Sequence, residues 1–266
     1  MRAKQEPLIS LAYILYAKAY QENSLILEVL SQKHGRIQIL AKGVKKSKKG
    51  LSFLLQPFSL LKLQYLFKEN LSILVDAENN ENTQAQFKDN KVLYSAYYLN
   101  ELLIRLLPSH EEVDSIFTLY QQTIIDLKQL SEKENAIDKS ELILRFFELQ
   151  LLNELGYEIN LELTGVNGEQ FKSDRQYYYC ENIGFASKLE LNHLQMNHQN
   201  LLVLSNEIDG ECIIQLKKRK QAFFEENLSC KKQIKLLFRN LLNLHLGDKP
   251  LKTRELYQQL FVQYSK

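Results

Sequence analysis

The segment Gln32-Lys33-His34-Gly35-Arg36-Ile37-Gln38-Ile39 contains a turn signal followed by alternating polar and apolar residues. Such alternation places one set of side chains on each face of a β-strand, as expected when only one face is buried. Gly35 suits the tip of a hairpin, where the backbone takes a positive φ. The segment therefore predicts a hairpin of two strands, over residues 24–31 and 36–42.

Three more stretches have the composition of strands, at residues 8–18, 58–67 and 71–77. Five short strands in so short a region are typical of a small closed or partly closed barrel. An OB-type barrel is one such fold, and SH3-like barrels have similar strand counts. We expect a five-stranded OB-type β-barrel domain over residues 1–80.

The hydrophobic period becomes helical after residue 80. Val92, Ala96, Leu99 and Leu103 share one stripe, and Asp138-x-x-Glu141 has the form of a capping box at the start of a later helix. The predicted fold class is thus α+β, with a mainly α-helical domain over residues 81–266.

An irregular insert is expected near residues 160–188. This stretch contains several glycines and the triplet Tyr177-Tyr178-Tyr179, and it could contain a hairpin.

The chain has three cysteines, Cys180, Cys212 and Cys230, at wide spacing and without a CxxC motif. An odd count at such spacing predicts no disulfide framework and favours a reducing compartment. The sequence has no run of about 18 apolar residues and no leader-like amino end. We expect a cytoplasmic protein with no membrane partner.

Charge is segregated near the amino end. The window from residue 29 to residue 67 contains no acidic residue, and ordinary surfaces intersperse the two signs. A phosphate-tracking face is one interpretation, and a plain basic surface is the other. Phe53, Phe58 and Tyr65 could stack on bases or belong to the core. The basic residues in the window are Lys33, Arg36, Lys42, Lys45, Lys46, Lys48, Lys49 and Lys62.

A second basic cluster begins with Lys217, Lys218, Arg219 and Lys220. Residues 217–254 hold eleven bases and three acids, although the net charge of the whole chain is only +2. In a helical region such a run is often a solvated face, so DNA and an acidic protein partner remain alternatives.

Arg145 lies in an apolar stripe with Leu142 and Leu149 at helical spacing. Its forked guanidinium could bind a carboxylate carried by an apolar ligand. Alternatively, Glu141 or Glu148 on the same helix could pair with it.

Catalytic patterns are absent from the sequence. It contains no HExxH, GxSxG, Walker A or GxGxxG motif, and no cluster with the spacing of metal ligands stands out. We therefore expect a protein that is not an enzyme and that needs neither a metal nor another cofactor.

Several short segments resemble the RecO family of bacterial recombination mediators. They occur in the family's order across nearly the whole chain. The segments are His34-Gly35-Arg36, Ala41-Lys42-Gly43-Val44, Leu55-Gln56-Pro57-Phe58, Tyr97-Tyr98-Leu99-Asn100-Glu101-Leu102-Leu103, Phe147-Glu148-Leu149-Gln150-Leu151-Leu152-Asn153-Glu154-Leu155-Gly156-Tyr157 and Lys249-Pro250-Leu251-Lys252-Thr253-Arg254-Glu255-Leu256.

The resemblance implies an OB-fold followed by a helical domain, and a role in DNA repair and recombination near the nucleoid. It implies binding of single- and double-stranded DNA, strand annealing and, with RecR, loading of RecA onto DNA coated by the single-stranded DNA-binding protein. It also implies that this binding protein's acidic, phenylalanine-ending tail docks on the helical domain, where Arg145 aligns with a tail-contacting arginine.

The chain departs from the family at one point. Some members carry a four-cysteine zinc site in the insert, whereas here Thr164 and Gly165 stand where a first cysteine would fall and Cys180 alone remains. The resemblance therefore implies no zinc in the insert.

Two other functions remain open from the residues alone. A protein-interaction adaptor would use its basic regions to meet acidic partners, and an RNA-binding OB protein would use the same barrel for a different nucleic acid. A hydrolase with no recognisable motif is a more distant alternative.

Overall fold

A computed structural model describes residues 6–46, 50–80, 86–111, 113–134, 136–197, 200–247 and 249–262. The chain divides into two compact units. The first comprises Met1–Glu134 and Leu251–Lys266, and the second Asn135–Pro250. The domain boundary expected at residue 80 stays a prediction.

Five strands close into a barrel with the order β1-β2-β3-β5-β4. Neighbouring strands are antiparallel except β3 and β5, and β1 pairs with both β2 and β4 to close the barrel. The predicted OB-type barrel followed by a mainly helical region is confirmed. The strands are β1 (Leu8–Tyr20), β2 (Ser24–Ser31), β3 (Gly35–Ala41), β4 (Leu60–Leu66) and β5 (Ser72–Asn79).

The hairpin tip behaves as the sequence predicts. Gly35 has a φ of 57°. A Cβ built on Gly35 would lie 1.8 Å from the carbonyl oxygen of Glu111, so both the backbone angle and the available space require glycine here.

Strand β1 is buried on both faces in its middle. Ala12 and Ile14 point into the barrel core, while Tyr13 and Leu15 are covered from outside and are also almost fully buried. The Tyr13 ring packs against Tyr120, with ring centroids 5.0 Å apart. The outer surface of the barrel is therefore divided, because helices cover the middle of β1 and leave its end exposed.

The covering helices are α2 (Asn90–Leu106) and α3 (Asp114–Leu130). The Asn100 amide on α2 donates to the carbonyl oxygen of Leu15 at 2.8 Å and accepts from the Tyr120 hydroxyl at 2.6 Å. This buried bridge ties both helices to β1. A short helix, α1 (Leu51–Leu54), precedes β4.

The carboxy-terminal segment returns to the first unit. Helix α9 (Lys252–Tyr257) and the π-helical turn Gln258–Val262 follow Leu251. The Glu101 carboxylate on α2 accepts from the backbone N–H groups of Lys252 and Thr253, each at 2.9 Å. This carboxylate at the first turn of α9 satisfies donors that the helix itself leaves unpaired.

The second unit is mainly helical and contains the predicted insert. Strands β6 and β7 form the expected hairpin, and β8 pairs with β6. Tyr178, Cys180, Ala186 and Leu191 form a small core beneath this sheet. The elements are α4 (Ala136–Glu154), β6 (Gln176–Cys180), β7 (Gly184–Ser187), α5 (Lys188–Asn197), β8 (Ile208–Asp209), α6 (Gly210–Lys217), α7 (Gln221–Glu226) and α8 (Leu228–Leu246).

Two local expectations in this unit are wrong. Helix α4 begins at Ala136, two residues before Asp138, so the helix does not start at the expected capping box. Cys212 and Cys230 are joined as a disulfide, with their Cα atoms 5.3 Å apart, although no disulfide was expected. Neither an odd cysteine count nor wide spacing excludes a pair that the fold brings together.

Within the described residues, every helix is too short or too polar to cross a membrane.

Candidate nucleic-acid interface

Four exposed lysines lie toward one end of the barrel, and we call them the lysine end: Lys18, Lys42, Lys45 and Lys46. Lys18 is on β1, Lys42 follows β3, and the other two lie on the 3-10 turn Val44–Lys46. The Lys45 N–H donates to the carbonyl oxygen of Asn23 at 3.2 Å. This bond holds the 3-10 turn against the turn between β1 and β2.

Strand register places two of these lysines on the same outer face. Lys18 lies opposite Ile26 on β2, and Ile26 lies opposite Leu40 on β3. Directly opposite residues project to the same face, and so does the residue two positions along a strand. Lys42 therefore shares the outer face with Lys18.

Exposed aromatic rings accompany the lysine end. Tyr16 and Tyr20 flank Lys18 at two-residue spacing on β1 and are 54% and 40% exposed. Phe53 is 86% exposed on α1, which packs against the 3-10 turn. Phe58 and Tyr65, in contrast, are buried.

The lysines of the lysine end have no close carboxylate partners among the described residues. Within the described part of the barrel, none of its four ammonium groups lies within 4.0 Å of a carboxylate. One acidic residue, Glu22, is exposed in the adjoining turn. Lys48 and Lys49, which the sequence also placed in this group, lie outside the described residues.

Arg36 and Lys33 are at the other end of β3. All of β3 lies between Lys33 and Lys42, and a strand of its seven residues is about 23 Å long. The Arg36 guanidinium donates to Leu107 O at 2.9 Å, to Ser109 Oγ at 2.7 Å and to Glu28 Oε2 at 3.1 Å. The predicted basic residues therefore do not all lie on one surface. The Arg36 guanidinium is instead used in hydrogen bonds within its own compact unit.

The second basic cluster is exposed in the other compact unit. Lys217 ends α6 and pairs with Glu162. Lys218, Arg219 and Lys220 follow in the connection to α7, and no described carboxylate pairs with them within 4.0 Å. Among the described residues, Lys217 thus has a carboxylate partner and its three neighbours have none.

Comparison with known proteins gives matches along most of the chain. The family model described as Recombination protein O N terminal matches residues 8–81, and that described as Recombination protein O C terminal matches residues 88–208. A DNA repair protein RecO of Actinobacillus pleuropneumoniae serotype 7 is 30% identical over 249 residues, which cover 93% of each chain. Relatives from Glaesserella parasuis and Vibrio parahaemolyticus are 32% and 33% identical over 93% of this chain and 94% and 91% of their own. The chain belongs to the RecO family.

Membership in the RecO family confirms the resemblance drawn from the short segments. It makes the chain a member of a family of DNA repair and recombination proteins. Neither the matching family models nor the names of these relatives indicate a catalytic activity.

In this RecO-family chain, Arg145 is buried on α4. Its Nη2 lies 2.6 Å from Glu148 Oε1, and the two side chains are 9% and 0% exposed. Leu142 and Leu149 are also buried. The intrahelical ion pair that the sequence allowed is therefore present, in the interior. The Arg145 Nε is buried without a hydrogen-bond partner in the described structure.

Three residues of the lysine end and its surroundings were not predicted from the sequence of this RecO-family chain. Lys18, Tyr16 and Tyr20 precede the acid-free window, so the charge pattern gave no reason to select them. Pairing of β1 with β2 brings them to the lysine end. The one signal that could have identified them is their spacing, because residues two apart on a strand project from the same face.

Proposed function

We propose that this protein is a non-catalytic recombination mediator that binds single- and double-stranded DNA through the lysine end and promotes annealing of complementary strands. With RecR, it would help load RecA onto DNA coated by the single-stranded DNA-binding protein, at the nucleoid in the cytoplasm. The observation that carries the proposal is the group of four exposed lysines without carboxylate partners among the described residues, on an OB-type barrel of a DNA repair family.

Phosphate binding explains why such a surface would promote annealing. Lysines that neutralise phosphates release condensed counterions, and this supplies affinity without reading the sequence. The same cations reduce the repulsion between two strands, so complementary strands approach and pair. Tyr16, Tyr20 and Phe53 offer ring faces on which unpaired bases stack, which favours single strands at the same surface.

The salt dependence of binding tests the lysine end directly. For single strands, each lysine that contacts a phosphate contributes about 0.7 to the magnitude of the negative slope of log affinity against log salt concentration. Replacing all four lysines with alanine should therefore reduce the magnitude of this slope by about 2.8. Fluorescence anisotropy with a labelled oligonucleotide at several salt concentrations measures this slope. An unchanged slope in the quadruple variant would overturn the proposed surface.

A matched control is available on the same barrel. Lys62 on β4 is 53% exposed and pairs with Glu78 at 3.7 Å. Lys62→Ala removes one exposed lysine from the same domain, and we expect the slope to stay as in the unaltered protein.

Annealing and loading need separate assays. Complementary strands precoated with the cognate single-stranded DNA-binding protein should anneal faster with this protein than without it, and RecR with this protein should speed RecA assembly on coated DNA. The quadruple variant should lose both effects. Competition with RNA of the same sequence separates a DNA mediator from an RNA-binding barrel, which would prefer RNA.

The proposal includes docking of the binding protein's acidic tail at Arg145. The tail's terminal carboxylate would accept from the Arg145 Nε, the donor that the contact with Glu148 leaves unused. Arg145→Lys keeps the positive charge but loses the forked donors of the planar guanidinium, so a tail peptide should bind at least tenfold more weakly. Equal affinity for both proteins would exclude this site. Tight binding of the peptide without measurable DNA binding would instead favour the alternative function of a protein-interaction adaptor.

The cluster from Lys217 to Lys220 is proposed as a second DNA contact. Lys218, Arg219 and Lys220 are its exposed members without a described carboxylate partner, so their replacement should reduce affinity for long DNA. Unchanged affinity would assign the cluster to a protein partner or to plain surface.

A further inference from the structure

Four potential metal ligands meet between α6 and α8, outside the insert. Asp209, Cys212, Cys230 and Gln233 follow the spacing D-x2-C-x17-C-x2-Q. The spacing is that of a zinc site with paired ligands two residues apart, with Asp209 and Gln233 at the outer positions. The cluster does not stand out in the sequence, because an aspartate and a glutamine at the outer positions do not complete a recognised zinc motif.

The four side chains converge in space. One ligand atom each from Asp209, Cys212 and Cys230 lie within 4.8 Å of one another. The Gln233 Oε1 lies 3.3 Å from the Cys212 Sγ and accepts from the Asp209 N–H at 3.0 Å. A carboxylate, two sulfurs and an amide oxygen thus lie close together.

Hydrogen bonds orient the two oxygen ligands. The Gln233 Nε2 donates to Asp209 Oδ2 at 2.9 Å and to Ser229 Oγ at 3.4 Å, which turns its Oε1 toward Cys212. Asp209 precedes α6 but makes no side-chain capping bond there. Its two oxygens instead accept from side-chain amides, Oδ1 from Gln176 at 3.5 Å and Oδ2 from Gln233 at 2.9 Å. These bonds hold the carboxylate within 4.8 Å of the cysteine sulfurs, as hydrogen bonds from surrounding residues hold a metal ligand.

The helix positions favour anionic ligands. Cys212 lies in the first turn of α6, and Cys230 lies in the first turn of α8. The partial positive charge at both helix amino ends stabilises thiolates and a carboxylate. Two thiolates with a carboxylate suit Zn²⁺ better than Mg²⁺ or Ca²⁺, which prefer oxygen ligands only.

We propose that the reduced protein binds Zn²⁺ through the Asp209 carboxylate, the Cys212 and Cys230 thiolates and the Gln233 amide oxygen. The disulfide is the metal-free, oxidised alternative. A thiol reductant supplies two electrons and two protons to break it, and zinc binding releases the two thiol protons. The sulfurs must then separate to about 3.8 Å, and side-chain rotation achieves this because the Cα atoms are already 5.3 Å apart.

Cobalt titration of the full chain tests the site without relying on activity. The protein, reduced with a phosphine and kept free of oxygen, should develop a sulfur-to-cobalt charge-transfer band and the strong visible bands of a tetrahedral centre. Added Zn²⁺ should abolish both by displacing Co²⁺. No charge-transfer band with excess Co²⁺ would overturn the proposal.

Variants identify the ligands. Cys230→Ser and, independently, Asp209→Asn should weaken Co²⁺ binding at least tenfold, whereas Cys180→Ala, which removes the buried free cysteine, should leave it unchanged. Asp209→Cys combined with Gln233→Cys completes four cysteines and should tighten binding. Full binding by Cys230→Ser, or loss of binding by Cys180→Ala alone with circular dichroism unchanged, would refute the assignment.

Discussion

The buried pair of Arg145 and Glu148 gives the sharpest test of how the second unit is stabilised. Arg145→Met keeps most of the side-chain length but removes the charge, which leaves the fully buried Glu148 carboxylate without its 2.6 Å arginine contact. If Arg145 acted only as a surface docking residue, the same change would alter partner binding and leave stability nearly intact.

The magnitude follows from distance and burial. Two unit charges 2.6 Å apart attract by about 6 kcal/mol at an effective dielectric constant of about 20. That attraction offsets the desolvation of both groups, so the intact pair adds little net stability. Removing one partner keeps the desolvation and loses the attraction. We expect Arg145→Met to lower the free energy of unfolding by about 3–5 kcal/mol.

Urea denaturation followed by circular dichroism measures this loss, and tyrosine fluorescence provides a second probe because the chain has no tryptophan. Combining Arg145→Met with Glu148→Met removes both charges and should restore most of the stability. Arg175→Met is the matched control, since Arg175 and Glu169 in the same unit are 3.9 Å apart and half exposed. It should cost less than about 1 kcal/mol. A loss that small for Arg145→Met would refute the reasoning.

Two further predictions concern the hairpin tip and the response to acid. Gly35→Ala should lower the free energy of unfolding by more than about 1 kcal/mol in the same denaturation assay, because the added Cβ meets the Glu111 carbonyl oxygen and the positive φ disfavours alanine; unchanged stability would contradict the reported contact. Burial raises the pKa of Glu141, but the Lys235 hydrogen bond and the charges of Lys235 and Lys231 outweigh it and hold the pKa below 4.5. The ionised group therefore stabilises the fold above pH 4.5, and this contribution is lost as pH falls through the lowered pKa. Glu141→Gln should flatten the loss of stability in that acid range, and an identical acid titration for both proteins would exclude the effect.

Local patterns were sufficient for much of the barrel. Alternation in residues 36–39 and the preceding glycine indicated β3 and its hairpin, and strand β2 has the predicted bounds, Ser24–Ser31. These features depend on neighbours a few residues apart, so the sequence displays them directly. Helix starts were less predictable, since Asp138 has the form of a cap but lies inside α4.

The candidate site depended more on the fold. The acid-free window included Lys42, Lys45 and Lys46, which the fold leaves exposed, but it also included Arg36, whose donors are occupied by Glu28, Leu107 and Ser109. Two of those partners are more than seventy residues away in the chain. No local pattern reports contacts at such separation.

By itself, the sequence determined the fold class, the basic character of the amino-terminal region and, through short ordered segments, the RecO family. Only the tertiary structure decided which charges are exposed, that Arg145 is buried, and that Cys212 and Cys230 meet beside Asp209. The physical reason is the separation along the chain of the residues that interact. Strand alternation and helical stripes arise between near neighbours, whereas exposure, ion pairing and ligand convergence depend on segments that only folding brings together.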